Sequence, residues 1–365
     1  MTTINIESGT SKQERGVCKV IDRVMKFYRY MLFVASMVVL SLLSACNMAA
    51  LREEMVYAES PVPADTLKAE VKQVSSSILY PLNIFVSGDL LVVCQPDMEQ
   101  MFAVYRLPDV DYLYSFGRKG QGPNEFSTIY FKSIVPTECG FKVCCNDRRI
   151  YHVSLTDGSI LKKERIESDH ELFNGFCAIN DSLYCFTDMR GEDTPFLMYN
   201  SARKTTVAVG EYPQWISDSS YEKTPIKKVI DGNGYIVAKD DGTTWAFFYG
   251  CFDCFKIYAG GGELRKTICT GQDPNEEKMT GKRRAYYPYV PQTTNEYIYC
   301  IRGREKTSDA DRLQVWQWDG MPVASYWLDR SISSFTLSER TGKIYAVSTD
   351  EEAADQIFVY DLPYY

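Results

Sequence analysis

The sequence predicts an all-β fold, a six-bladed β-propeller, on three observations. Tyr occurs 26 times, and together with Phe, Val and Ile it favours strands over helices. After residue 50 no long apolar stripe recurs at helical spacing. Between residues 87 and 362 a hairpin-like unit repeats, as in "SGDLLVVCQPDMEQMFAVYRL", "CGFKVCCNDRRIYHVSLTDGSIL" and "TGKIYAVSTDEEAADQIFVYDL". In each unit a Gly, Asp or Asn turn leads into a short run of strand character, then a polar loop and a second strand.

The chain begins with a leader. In "MKFYRYMLFVASMVVLSLLSACNM", Lys26 and Arg29 precede an uncharged run from Met31 to Leu43, followed by small residues before Cys46. A secretory signal needs this order: a positive end, a short apolar segment, then a cleavage site. Thirteen residues are too few to span a bilayer, which takes about 20. Residues 1–45 are therefore read as leader and signal peptide, with Met25 a possible true start. Residues 46–66 mix polar residues, alanine, Pro61 and Pro63 without sustained periodicity, which suits a tether. Residues 67–365 form the folded domain.

The repeat units start near Asp89, Gly140, Ser182, Gly234, Glu296 and Gly342, at spacings of 51, 42, 52, 62 and 46 residues. One four-stranded propeller blade takes roughly 40–50 residues, whereas solenoid repeats are shorter. Two β-sandwich domains, the competing architecture, would not need such a period. The last unit offers only three strands, "SISSFTL", "KIYAVST" and "QIFVYDL". A ring must close to remove its free edges, so "LKAEVKQVSS" at residues 67–76 is expected to pair with the last blade.

One stretch between the first two units, "LYSFGRKGQGPNEF" at residues 113–126, could serve either as a corner between blades or as an anion-binding loop. Gly117, Gly120 and Gly122 allow left-handed backbone and close approach, and Pro123 fixes φ. Successive N–H groups assisted by Arg118 and Lys119 could also cradle an anion. The spacing matches neither a P-loop nor a dinucleotide fingerprint, and no helix follows. The corner is favoured, which leaves Arg118, Lys119 and Gln121 as candidate ligand-binding side chains. A second candidate patch is "GKRRAYYPYVPQ", where Arg283 and Arg284 adjoin Tyr286 and Tyr287, a combination suited to stacking on sugars or peptides.

Phe116, Gly117, Gly120, Gly122 and Phe126 resemble the blade crossing of NHL-type repeats. "VIDGNGYIVAKDDG" and "SERTGKIYAVSTDE" resemble another part of the same repeats. Leu43-Ser44-Ala45-Cys46 resembles the lipobox of bacterial lipoproteins. Taken together, residues 67–365 and the lipobox look like the TolB-like six-bladed propeller lipoproteins of Gram-negative bacteria. That resemblance implies a lipid on Cys46 and a place in the cell envelope at the outer membrane; the protein is expected to be a monomer. The resemblance implies no catalytic residue, because the group has no common reaction.

Composition narrows the chemistry. Residues 46–365 carry 34 basic and 45 acidic side chains, a balance that disfavours nucleic acid. Only His152 and His170 occur, which leaves little room for a Ser-His-Asp relay or a His-rich zinc site. Ten cysteines lie in the folded part, read as core thiols, as one or two disulfides in an exported protein, or as a metal or redox site at Cys251/Cys254. Cys144 and Cys145 are adjacent in a strand and face opposite ways, so they cannot line one site. Carboxylates gather in "DMRGED", "KDDG", "SDADR" and "STDEEAAD" without EF-hand spacing, and are read as solvated loops. The function expected is a non-catalytic binding module for an envelope protein, peptide or glycan, with no cofactor. The alternative is a hydrolase or lyase with calcium in the central channel, which rests on fold analogy.

Overall fold

The structure, a computed structural model, describes Met31 and residues 55–74, 78–168, 173–190, 194–213, 215–216, 229–230, 232–271, 285–303 and 311–364. Cys46, His170, Arg283 and Arg284 lie outside these. The chain divides into Met1–Arg52 and Glu53–Tyr365, and the second unit is the propeller. Among the described residues no helix is long and apolar enough to cross a membrane.

Six sheets make the ring, each running from an innermost to an outer strand. Blade 1 is Asn83–Ser87, Leu90–Cys94, Phe102–Arg106 and Asp111–Phe116. Blade 2 is Ile129–Thr137, Gly140–Cys145, Arg149–Ser154 and Ile160–Arg165; blade 3 is Phe173–Ala178, Leu183–Asp188, Phe196–Asn200 and Thr205–Val209. Blade 4 is Gly234–Ala238, Thr244–Tyr249, Cys254–Ala259 and Leu264–Cys269; blade 5 is Gln292–Thr293, Tyr297–Arg302, Arg312–Gln317 and Pro322–Leu328. Blade 6 takes Ser334–Ser338, Lys343–Val347 and Gln356–Asp361 from the end of the chain and Glu70–Gln73 from its beginning. That last strand lies antiparallel on Gln356–Asp361, with Val71 opposite Phe358.

Every blade is sandwiched between two others, so its two middle strands are largely buried on both faces, while its outer strand is partly exposed. The core accordingly falls into six clusters, one at each seam between neighbouring blades. Phe102, Phe126 and Phe141 fill the seam of blades 1 and 2, Trp245 and Phe196 that of blades 3 and 4, and Tyr345 and Tyr105 that of blades 6 and 1. Cys144 packs in the seam of blades 2 and 3 and Cys145 in that of blades 1 and 2, so the adjacent thiols do face opposite ways. Burial raises both thiols, Cys145 to about 12, which makes them inert core residues. In blade 4 the cross-strand neighbours Cys254 and Cys269 form a disulfide. Cys254 is thus a structural half-cystine rather than one end of a C-x-x-C redox pair.

Two expectations are corrected. Part of residues 46–66 is sheet, not free tether: Met55–Tyr57 runs parallel to Leu264–Cys269, and Asp65–Leu67 runs parallel to Pro322–Leu328. The outer strands of blades 4 and 5 expose a row of N–H and C=O groups, and these two short segments satisfy part of it. The second correction concerns phase. In five blades the unit starts the second strand, but "GNGYIVAKDD" is the innermost strand of blade 4, and the second is Thr244–Tyr249, buried at every position. A turn followed by strand character occurs at both places, so the repeat could not distinguish them.

Candidate functional site

All six innermost strands leave a crossing on one face of the ring and end in a hairpin turn on the other. The stretch 117–128 is such a crossing, from Asp111–Phe116 of blade 1 to Ile129–Thr137 of blade 2. Gly117 has φ of +84°, and a Cβ there would lie 2.6 Å from the Phe102 ring. Gly120 and Gly122 are needed for a different reason. A Cβ on either would press on Glu125, whose carboxylate accepts the Gly122 N–H at 2.8 Å. The anion-binding position of this loop is therefore filled by its own side chain. Lys163 Nζ donates to the carbonyls of Gly122 and Glu125 and tightens the corner. Arg118 pairs with Glu99 at 2.9 Å, both exposed, while Lys119 and Gln121 face solvent.

Of the second sequence-derived patch only the tyrosines lie among the described residues. Tyr287 is 1% exposed and packs on Phe248, and Tyr286 is buried in the same seam of blades 4 and 5. Their apolar rings fill space between blades, so neither presents a face to a ligand. His152 is half-buried in blade 2 beside Glu164 at 3.5 Å, and burial together with Lys142 pulls its pKa below the usual range.

The concave feature lies on the hairpin-turn face. A cavity of about 690 Å³ follows the ring axis and draws its walls from all six blades, through Val86, Ile134, Ala178, Ile236, Val290 and Leu337 among others. Toward the crossing side of this lining Lys132, itself exposed, donates from Nζ to Tyr235 Oη at 2.8 Å, and Tyr235 Oη donates to the Pro288 carbonyl at 2.8 Å. This relay ties blade 2 to blades 4 and 5 across the axis. Lys132 Nζ also sits 5.1 Å from the centre of the Tyr235 ring. Among the described residues no carboxylate pairs with Lys132.

The rim carries four carboxylates together with the cations Lys142, Lys239 and Arg340. Glu138, Asp181, Asp240 and Glu339 stand at or just after the ends of innermost strands and line the mouth. The basic neighbours of two of them are engaged elsewhere: Lys239 pairs with Asp241 at 3.0 Å, and Arg340 pairs with Asp89. Asp240 and Glu339 are left without an ion pair among the described residues. Both are held above the ordinary carboxylate range, first by the water the walls displace and then by neighbouring negative charge. For Asp240 that charge is Asp241; for Glu339 it is Asp240 and Glu296. Asp241, hydrogen-bonded by Thr243, is pulled down to about 2. No three His, Cys, Asp or Glu side chains come together as a metal-binding group among the described residues. The four rim carboxylates come from four different blades.

Sequence reading missed this site. "KDDG" is visible as an acidic turn, but nothing local shows that Asp240 faces an axis shared with Glu339, 99 positions later. Lys132 sits in a strand, "TIYFKSIV", where alternation assigns it only to a polar side.

No family model matches the chain, and no curated protein matches it. Solved structures do. An exported protein by name from Bacteroides fragilis NCTC 9343 superposes with a TM-score of 0.51 at 11% identity, over 85% of this chain and 99% of that one. A member of the DUF4221 family from Bacteroides vulgatus ATCC 8482 superposes with a TM-score of 0.51 at 10% identity, over 80% of this chain and 98% of that one. At such identities the likeness shows the fold.

Proposed function

We propose that this propeller is an exported, membrane-anchored binding module that takes a peptide, glycan or protein segment into its axial cavity without chemical conversion. The observation that carries the reading is the cavity itself: about 690 Å³, open on the hairpin-turn face, with charged groups left unpaired at its two ends. Such a volume falls in the usual range of ligand sites, roughly 300–1,000 Å³. The name of the Bacteroides fragilis neighbour supports export, as does the leader read in residues 25–45. The Phe116-to-Phe126 spacing and the lipobox-like Leu43–Cys46 support a finer kinship with TolB-like, NHL-type lipoproteins of the outer membrane.

Ala238 lines the cavity, and Ala238→Trp would fill part of it. The test is thermal unfolding of the full-length protein against a panel of free tetrapeptides and neutral oligosaccharides. A ligand at about 100 times its Kd stabilises by about 2.7 kcal/mol, a shift of several degrees. We expect at least one member to stabilise the wild type, Ala238→Trp to lose that shift, and Arg118→Ala, Lys119→Ala and Gln121→Ala to keep it. Stabilisation that survives Ala238→Trp, or that needs Arg118 or Lys119, moves the site to the crossing face and overturns the reading. Anchoring is checked separately. Cys46→Ser should release the chain from the membrane fraction and remove an acyl mass, and a wild-type chain without that mass contradicts the anchor.

A further inference from the structure

The axial cavity is charged unequally along its length, and this deepens the reading above, on which it rests. Lys132 is the fourth residue of its innermost strand and binds Tyr235, the second residue of another. Asp240 follows Tyr235 by five positions, and a strand rises about 3.3 Å per residue. The strand ends at Ala238 and Asp240 lies in the turn beyond it, so the Lys132–Tyr235 level and the acidic rim are at most about 16 Å apart along the axis. Between them the wall mixes the aliphatic Ile134, Ile236 and Leu337 with the polar Thr293 and Thr336.

Two further features bear on the occupant. An ammonium has three donors, and among the described residues Lys132 gives one to Tyr235. It can donate to an incoming acid without giving up the relay. The innermost strand of each blade also pairs on one side only, so its other edge turns backbone N–H and C=O groups toward the axis. An extended main chain is the natural partner of such edges.

We infer that the cavity is built for an elongated dipolar ligand, a short peptide with both ends free, whose carboxylate meets Lys132 and whose ammonium stays at the rim between Asp240 and Glu339. A span of at most about 16 Å holds an extended chain of up to about four or five residues at 3.3–3.6 Å each. A ligand in the reverse orientation would set its carboxylate beside Asp240 and Glu339, which have no ion pair among the described residues, and its ammonium against Lys132, so the polarity fixes direction as well as class.

The test is calorimetric titration of the full-length protein with tetra-alanine in four forms: free, N-acetylated, C-amidated and blocked at both ends. We expect the free form to bind best and either block to weaken it at least tenfold. The double substitution Asp240→Asn with Glu339→Gln should abolish discrimination against acetylation while keeping that against amidation. Lys132→Met should do the converse, and Lys132→Arg should restore it. Unfolding midpoints of the variants should match the wild type, so that a lost preference reflects the ligand and not the fold. Binding of all four forms within twofold, or no binding of the free form below about 1 mM, overturns the inference. If a neutral oligosaccharide binds instead and is lost in Ala238→Trp, the cavity remains the site and only its dipolar ligand is wrong.

Discussion

Removing residues 1–74 should destabilise the propeller by about 5 kcal/mol or more, enough to abolish cooperative unfolding in a protein of ordinary stability. The deletion takes away Glu70–Gln73, the fourth strand of blade 6, and with it the four residue pairs from Gln73 opposite Gln356 to Glu70 opposite Val359. It also strips Leu67 and Val71 from the seam of blades 5 and 6, where both pack on the core. Two aliphatic side chains contribute roughly 1.5–3 kcal/mol each when fully buried, and each ladder hydrogen bond about 1. The outer edge of blade 6 is then open to pairing with another molecule, so the truncated chain should also aggregate. A narrower form of the same test is Val71→Asp, which keeps the strand but puts a charge opposite Phe358. Chemical denaturation monitored by tryptophan fluorescence reads both. A truncated chain that unfolds at the wild-type midpoint would show that the ring does not depend on this closure.

Asp253→Ala is expected to cost about 3–5 kcal/mol, the usual effect of leaving one member of a buried ion pair alone. Asp253 is 4% exposed, and its carboxylate pairs with Arg302 and accepts from Thr270 Oγ1 at 2.6 Å and Tyr287 Oη at 3.4 Å. Arg302 is itself 8% exposed, so without Asp253 its guanidinium is a buried charge whose Nη1 keeps, among the described residues, the Ser60 hydroxyl at 3.0 Å. The same hydroxyl accepts from Arg312 at 2.8 Å and Gln314 at 3.0 Å, so the N-terminal segment between its two parallel strands is pinned to blade 5. The loss should therefore spread to that segment, raising proteolysis near residue 60. Asp253→Ala with Arg302→Met should recover much of the stability, because removing both charges leaves no buried charge unpaired, at the smaller cost of the Thr270 and Tyr287 hydroxyls losing an acceptor. A double variant no more stable than Asp253→Ala would contradict this account.

Much of the fold is legible in the order of residues along the chain. Strand-rich composition, a period near 50 and a three-stranded last unit lead to six blades, with the missing strand expected from residues 67–76. These are local or counting signals, and a ring must satisfy them whatever its ligand. The slip at Gly234 has a physical cause: inside a propeller the second strand of a blade is buried on both faces, and Thr244–Tyr249 therefore carries no alternation to mark it. The N-terminal strands at Met55 and Asp65 are only three residues long, too short for a periodicity to register. Tyr286 and Tyr287 illustrate the opposite failure. A basic and aromatic run reads as a recognition patch, but aromatic rings are also what fills a wide seam, and burial is not visible in composition.

The sequence alone determined the architecture, the corner at Gly117 and the opposed thiols at Cys144 and Cys145, because each follows from spacing between neighbours. The tertiary structure alone decided where a ligand can sit. Lys132, Tyr235, Asp240 and Glu339 come from three blades and share an axis only once the ring has closed. The burial of Asp253 with Arg302, and of Glu125 in the loop that seemed made for a phosphate, likewise depends on which surfaces meet. Charge and polarity can be read along a chain, but their partners are set by closure.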